Sequence, residues 1–156
     1  MEKQSSLHLQ DEAATQALGA TLSAGLAPGR SLYLSGDLGT GKTTLVRGLL
    51  RALGHEGHVK SPTYALVELY SISRFNLYHF DFYRFENTGE WLSSGFRDYF
   101  NRDSVCVVEW PERAGDLLPM PDLHIRLTYT GVTRNAALAA STPAGARWLD
   151  HALRAA

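Results

Sequence analysis

Apolar positions recur along the chain in two rhythms, and each predicts a different element. Over residues 11–24, Ala14, Leu18, Thr21 and Leu22 fall near one face at helical spacing, with Asp11 and Glu12 in the first turn, where the helix dipole favours negative charge. A helix is expected there. Leu26 to Gly29 reads as a Pro/Gly turn, and the short apolar run Ser31 to Ser35, which ends in a glycine loop, reads as a buried strand. A second helix is predicted from Lys42 to Leu53 and is stopped by Gly54.

Beyond the polar turn His55 to Lys60, two segments rich in aromatic and β-branched residues, Thr63 to Ser71 and Phe75 to Tyr83, predict a strand pair. Thr88 to Phe100 predicts a short, irregular helix, and Val105 to Val108 a compact strand closed by Glu109-Trp110-Pro111. Pro111 is placed to open a helix over Glu112 to Leu118. Leu123 to Tyr129 and Arg134 to Ala140 predict a late hairpin, and Ala144 to Arg154 a closing helix. Strand, glycine loop, helix and further strands together predict an α/β fold: a P-loop NTPase-type sheet, mainly parallel with added antiparallel strands, and helices on both faces.

A length of 156 residues suits one domain with its own core, so residues 1–156 are expected to form a single unit. With 15 Lys+Arg against 16 Asp+Glu, no global basic field draws the molecule onto RNA or an anionic membrane. Any RNA contact is expected to be local, or made by a partner. No apolar run approaches the roughly 18 residues that span a bilayer, and Met1 to Gln10 lacks the pattern of a secretory leader. A cytoplasmic location is the expectation. The single cysteine, Cys106, lies inside an apolar run and is expected to pack as a small buried hydrophobe. His55 and His58 are closely spaced but lack the Cys or carboxylate pattern of a zinc site, so a solvated turn is expected.

Gly36-Asp37-Leu38-Gly39-Thr40-Gly41-Lys42-Thr43 fits G-x-x-x-x-G-K-[ST] and lies between a predicted strand and a predicted helix. Glycines at these places let backbone N–H groups converge on phosphate oxygens, and the helix N-terminus adds partial positive charge. Lys42 is the candidate to neutralise the β/γ-phosphates, and Thr43 the candidate to offer its hydroxyl to magnesium. A magnesium site also needs an acid, expected at the C-terminal end of a neighbouring strand. Glu109 ends the run Val-Cys-Val-Val, and Asp81 sits among aromatics in His79-Phe-Asp-Phe-Tyr83, so both qualify. Ser61-Pro-Thr-Tyr64 occupies the place of a switch loop, where the Thr63 hydroxyl is within reach of metal or water; a turn followed by a strand-initiating threonine is the alternative.

Gly36 to Thr44, Val59-Lys-Ser-Pro-Thr-Tyr64, Tyr78-His-Phe-Asp-Phe-Tyr-Arg84 and Val108-Glu-Trp-Pro111 resemble, in order and spacing, the TsaE family, once known as the YjeE group. The likeness spans nearly the whole chain. It departs at Phe82 and Phe85, where the family often has leucine, and in the tail after Ser141. The resemblance implies a magnesium-dependent ATPase required, with the TsaB and TsaD proteins, for threonylcarbamoyladenosine at position 37 of tRNAs reading ANN codons, with TsaD carrying the transfer chemistry. It implies ATP bound along Asp37, Leu38, Gly39, Thr40, Gly41, Lys42, Thr43 and Thr44, and magnesium held by Thr43 and Glu109. Asp81 is implied to serve the γ-phosphate or attacking water, and Thr63 the switch. Arg134 matches a late family arginine implied to touch nucleotide, with a plain surface arginine as the alternative.

The rival readings are a small-molecule P-loop kinase and a nucleotide-gated assembly module. Such kinases carry an arginine-bearing lid, whereas Arg113 is the only arginine between Arg102 and Arg126. For the assembly module, bound nucleotide acts by shifting how the protein docks, which overlaps with the family's own role. Slow hydrolysis by the chain alone, as a monomer, and stimulation by TsaB and TsaD are expected, with tRNA met only through the complex.

Overall fold

The computed structural model of the protein describes residues 3–155. The run Ser31–Ser35 is buried at every position and forms a strand with a parallel neighbour on each side, Ser104–Glu109 and Leu123–Thr130. A parallel strand covered on both faces has no solvent side, which is why this run and Ser104–Glu109 read as nearly continuous apolar sequence.

In chain order the strands are β1 (Lys3–Leu9), β2 (Ser31–Ser35), β3 (Val67–Ile72), β4 (Phe75–Asp81), β5 (Ser104–Glu109), β6 (Leu123–Thr130) and β7 (Thr133–Ala140). Among the described residues they form one sheet in the order β1-β7-β6-β2-β5-β4-β3. The four central strands β6, β2, β5 and β4 are parallel, while β3 on β4 and the β6–β7–β1 meander add antiparallel pairs. The predicted α/β sheet, parallel at its centre, is the observed one. β1 was not predicted. Only Leu7 and Leu9 in Lys3-Gln-Ser-Ser-Leu-His-Leu9 are apolar, because β1 is an edge strand with one neighbour and a face left to water.

Three helices, α1 (Glu12–Thr21), α2 (Lys42–Ala52) and α4 (Pro143–Ala155), cover one face over a core that includes Leu18, Leu32, Leu45, Leu49 and Trp148. Asp11 caps α1 rather than joining it, its carboxylate accepting from the Ala14 N–H at 2.8 Å. The predicted apolar face of α1 is rotated towards Thr15 and Gly19, and the reason is a close crossing. A Cβ on Gly19 would stand 2.0 Å from the Leu45 carbonyl oxygen, and one on Gly48 would stand 1.9 Å from that of Gln16. The two helices meet backbone to backbone.

The other face carries an aromatic layer: Phe80, Phe82, Phe85 and Trp91, with Tyr33, Cys106 and Val108 beneath. The predicted helix over 88–100 is broken into α3 (Gly89–Ser94) and the 3-10 turn Phe96–Tyr99, because Gly95 between them is left-handed at φ 77°. The predicted helix over 112–118 is two 3-10 turns, Pro111–Arg113 and Gly115–Leu117, interrupted by the left-handed Gly115 at φ 64°. The predicted strand from Thr63 begins at Val67, since residues 63–66 turn and Leu66 is left-handed at φ 70°. Cys106 is buried as expected, and burial pushes its thiol up to about 12. His55 packs edge-on against Tyr70, and His58 is exposed. Among the described residues no helix is long and apolar enough to cross a membrane.

Candidate functional site

β2 ends at the buried Ser35, and the glycine loop carries the chain from the sheet edge to the first turn of α2. Two positions make that path available only to glycine. Gly36 has φ 148° and would drive a Cβ to 2.6 Å from the Leu127 carbonyl; Gly41 has φ 109° and would meet the Arg134 Nη1 at 2.8 Å. Thr40 braces the loop, its hydroxyl donating to the Asp37 carbonyl at 2.8 Å, and the Tyr129 hydroxyl donates to the Gly39 carbonyl. No side chain caps α2, so the partial positive charge of its N-terminus faces the cleft.

Lys42 is 5% exposed, and its ammonium donates to the Gly36 carbonyl and, at 2.9 Å, to that of Asp37. It also stands 4.5 Å from the centre of the Trp110 ring. Burial lowers its pKa, against the opposing pull of Glu109, Asp81, Glu112 and Asp37. The cation is thus held by weak acceptors that an anion would displace.

Two carboxylates close the far side. Glu109 accepts from the Thr43 hydroxyl at 3.0 and 3.2 Å, and its Oε2 lies 2.6 Å from the His79 Nε2. Asp81 holds the 61–63 loop: Ser61 donates to its Oδ2, Thr63 does so at 3.4 Å, and the Tyr83 N–H donates to its Oδ1 at 2.9 Å. Trp110 takes a left-handed φ of 59°, and its ring packs on Tyr83 with Arg113 over both.

These groups surround a cleft of about 410 Å³. Leu38, Gly39, Gly41, Lys42, Thr43, Thr44, Thr63, Asp81, Glu109 and Arg134 all line it, while Asp37 and Thr40 shape the loop from behind through its hydrogen bonds. Arg134 reaches the cleft from β7, its guanidinium lying over Tyr129 and its Nη1 3.5 Å from the Thr15 hydroxyl. Its Nε is buried and has no partner among the described residues.

The model of the family described as "Threonylcarbamoyl adenosine biosynthesis protein TsaE" matches residues 9–136. The chain belongs to the TsaE family. It is 50% identical over 114 residues to the tRNA threonylcarbamoyladenosine biosynthesis protein TsaE of Haemophilus influenzae, covering 73% of this chain and 72% of that one. It is 38% identical over 117 residues to the protein of the same name from Bacillus subtilis, covering 75% and 73%. The crystal structure of Bacillus subtilis YdiB superposes with a TM-score of 0.85 at 29% identity, over 99% of this chain and 97% of that one.

In this TsaE-family chain, Ser61, Tyr83 and Trp110 line the cleft, and His79 backs it through Glu109, without a role in the sequence reading. Two were legible in principle. His79 precedes Asp81 by two residues on a strand and therefore shares its face. Ser61 shares the Ser-Pro-Thr-Tyr motif with Thr63. Glu12 and Thr15 of α1 approach the cleft through the crossing of α1 with α2, which no local pattern announces.

Proposed function

We propose that this TsaE-family chain binds ATP with magnesium in the P-loop cleft and hydrolyses it, in support of threonylcarbamoyladenosine formation at position 37 of tRNAs reading ANN codons. The observation that carries the reading is the convergence of the Thr43 hydroxyl and the Glu109 carboxylate, 3.0 Å apart, beside the Lys42 ammonium. Hydroxyl and carboxylate oxygens suit a hard divalent cation, and a glycine loop at an uncapped helix N-terminus suits phosphate. Magnesium, when bound, neutralises charge that develops on phosphate oxygens.

Lys42 exchanges its two carbonyl partners for phosphate oxygens, and Thr43 and Glu109 present their oxygens to the cation. Arg134 brings a second positive charge with an unpartnered N–H to the same cleft. Asp81 positions the attacking water, but in the free chain both its oxygens already accept from Ser61, Thr63 and the Tyr83 N–H. Hydrolysis by the chain alone is therefore slow, and a docked partner that shifts the 61–63 loop quickens it.

TsaB and TsaD are that partner, and tRNA is met through them, since a formal charge of −1 gives RNA no broad attraction. The reading places the chain in the cytoplasm, as a monomer between encounters. The deciding measurement is phosphate release by the chain alone, with the TsaB–TsaD pair, and with tRNA alone, alongside a screen of small phosphate acceptors. Stimulation by the pair supports the reading. Rapid turnover that the pair leaves unchanged, stimulation by tRNA alone, or transfer to a small acceptor overturns it.

A further inference from the structure

His79 is completely buried, and it meets the site through one atom. Its Nε2 lies 2.6 Å from the Glu109 Oε2, while its Nδ1 is buried with no partner among the described residues. That arrangement selects a tautomer. With the proton on Nε2, the ring donates to the carboxylate and leaves only a bare lone pair unmatched on Nδ1. With the proton on Nδ1, two lone pairs would face each other at 2.6 Å and an N–H would be buried without an acceptor.

We propose that His79 is a positioning residue for Glu109: as the Nε2–H tautomer it anchors one carboxylate oxygen and leaves the other aimed at the cation site. The inference rests on the magnesium reading above. Glu109 Oε2 receives both His79 and Thr43, at 2.6 and 3.0 Å, whereas Oε1 receives only the longer Thr43 contact at 3.2 Å. Oε1 is therefore the oxygen with coordination to spare. A ring N–H suits this task because it fixes one carboxylate oxygen through a single directed hydrogen bond and leaves the other for the cation. The strands supply the register. Asp81 and Glu109 are partners across β4 and β5, so His79, one repeat earlier on the Asp81 face, reaches Glu109 diagonally.

The experiment uses the full chain and three variants, His79→Leu, His79→Gln and Glu109→Gln. It reads the magnesium concentration that half-saturates ATP binding, by calorimetry at stepped magnesium, and the histidine tautomer of the parent by ¹⁵N NMR. Leucine fills the space without a donor, and the glutamine amide N–H can take the place of Nε2–H. The expected result is a midpoint raised about tenfold or more in His79→Leu, largely restored in His79→Gln, and an Nε2–H signal for a buried histidine in the parent. A folded His79→Leu with the parental midpoint, while Glu109→Gln is shifted, overturns the role of His79 alone. A parental midpoint in Glu109→Gln overturns the magnesium reading itself. Should His79→Leu fail to fold, the tautomer decides: a Nδ1–H signal for His79 sinks the proposal.

Discussion

Asp81 and Glu109 are direct partners in adjacent parallel strands, and each is only 3% exposed, so two buried carboxylates leave the sheet side by side. Their hydrogen bonds then diverge. Glu109 is tied to α2 through Thr43, whereas Asp81 is tied to the 61–63 loop through Ser61 and Thr63. Neighbouring acids with separate partners can serve separate tasks, one beside α2 and one beside the 61–63 loop.

That divergence predicts two different failures. Glu109→Gln removes an anionic oxygen from the proposed cation site and should raise the magnesium needed for half-maximal turnover by about tenfold or more. Asp81→Asn keeps the size and loses the charge that holds the 61–63 loop and that is proposed to position water; nucleotide should still bind while turnover drops by roughly a hundredfold. Steady-state phosphate release across a magnesium series separates the two. Identical magnesium dependence and parental turnover in both variants would contradict the division.

Lys42→Ala should abolish measurable ATP binding and leave the fold intact. The side chain is buried, yet its partners are the loop's own carbonyls and the face of Trp110, not the core. Truncation removes the one cation that the loop holds against its own backbone, and charge-assisted bonds to phosphate go with it. Circular dichroism checks the fold and calorimetry the binding. Parental affinity in a folded variant would remove the nucleotide assignment altogether.

Local pattern announced most of the fold wherever one element determines its own environment. The run Ser31–Ser35, the P-loop and the Val105–Val108 strand were legible because burial on both faces and glycine geometry leave few alternatives. β1 was not, since an edge strand needs only two leucines. The 3-10 turns at 111–117 escaped because the left-handed Gly115 interrupts a sequence that is otherwise a good helix. For the site, Lys42, Thr43, Thr63, Asp81 and Glu109 stand at motif positions and line one cleft, but their partners could not be read from the sequence. His79 to Glu109 and Ser61 to Asp81 are contacts across strands and loops, fixed by register that no single segment contains.

Gly48→Ala tests the closeness of α1 and α2. A helix interior ordinarily gains from alanine over glycine, by about 1 kcal/mol, so propensity alone predicts a more stable protein. The added Cβ would stand 1.9 Å from the Gln16 carbonyl oxygen, a backbone atom that cannot rotate away. Overpacking of that kind costs about 1–3 kcal/mol or more, and it should prevail. Urea denaturation is expected to show a lower midpoint with an unchanged slope. An unchanged or raised midpoint would mean that the helices separate freely.

His124 supplies a pH dependence of stability that can be assigned to one residue. Its ring packs beside Tyr33, and its Nε2 lies 2.7 Å from the Ser35 hydroxyl, which in turn donates to Glu112 at 3.1 Å. Burial lowers its pKa, the nearby Arg126 lowers it further, and Glu112 pulls the other way. The folded chain therefore accepts this proton less readily than the unfolded chain, whose histidine titrates near about 6.5. As pH falls through that value, the unfolded state binds the proton first, so stability declines until the folded value is also passed; read upward, stability rises with pH across the same window. His124→Gln keeps a donor where Nε2–H was and has nothing to titrate. Denaturation midpoints compared at about pH 7.5 and 5.5 should differ less in the variant than in the parent, because carboxylates common to both cancel in the comparison. Equal differences would assign the pH dependence to other groups.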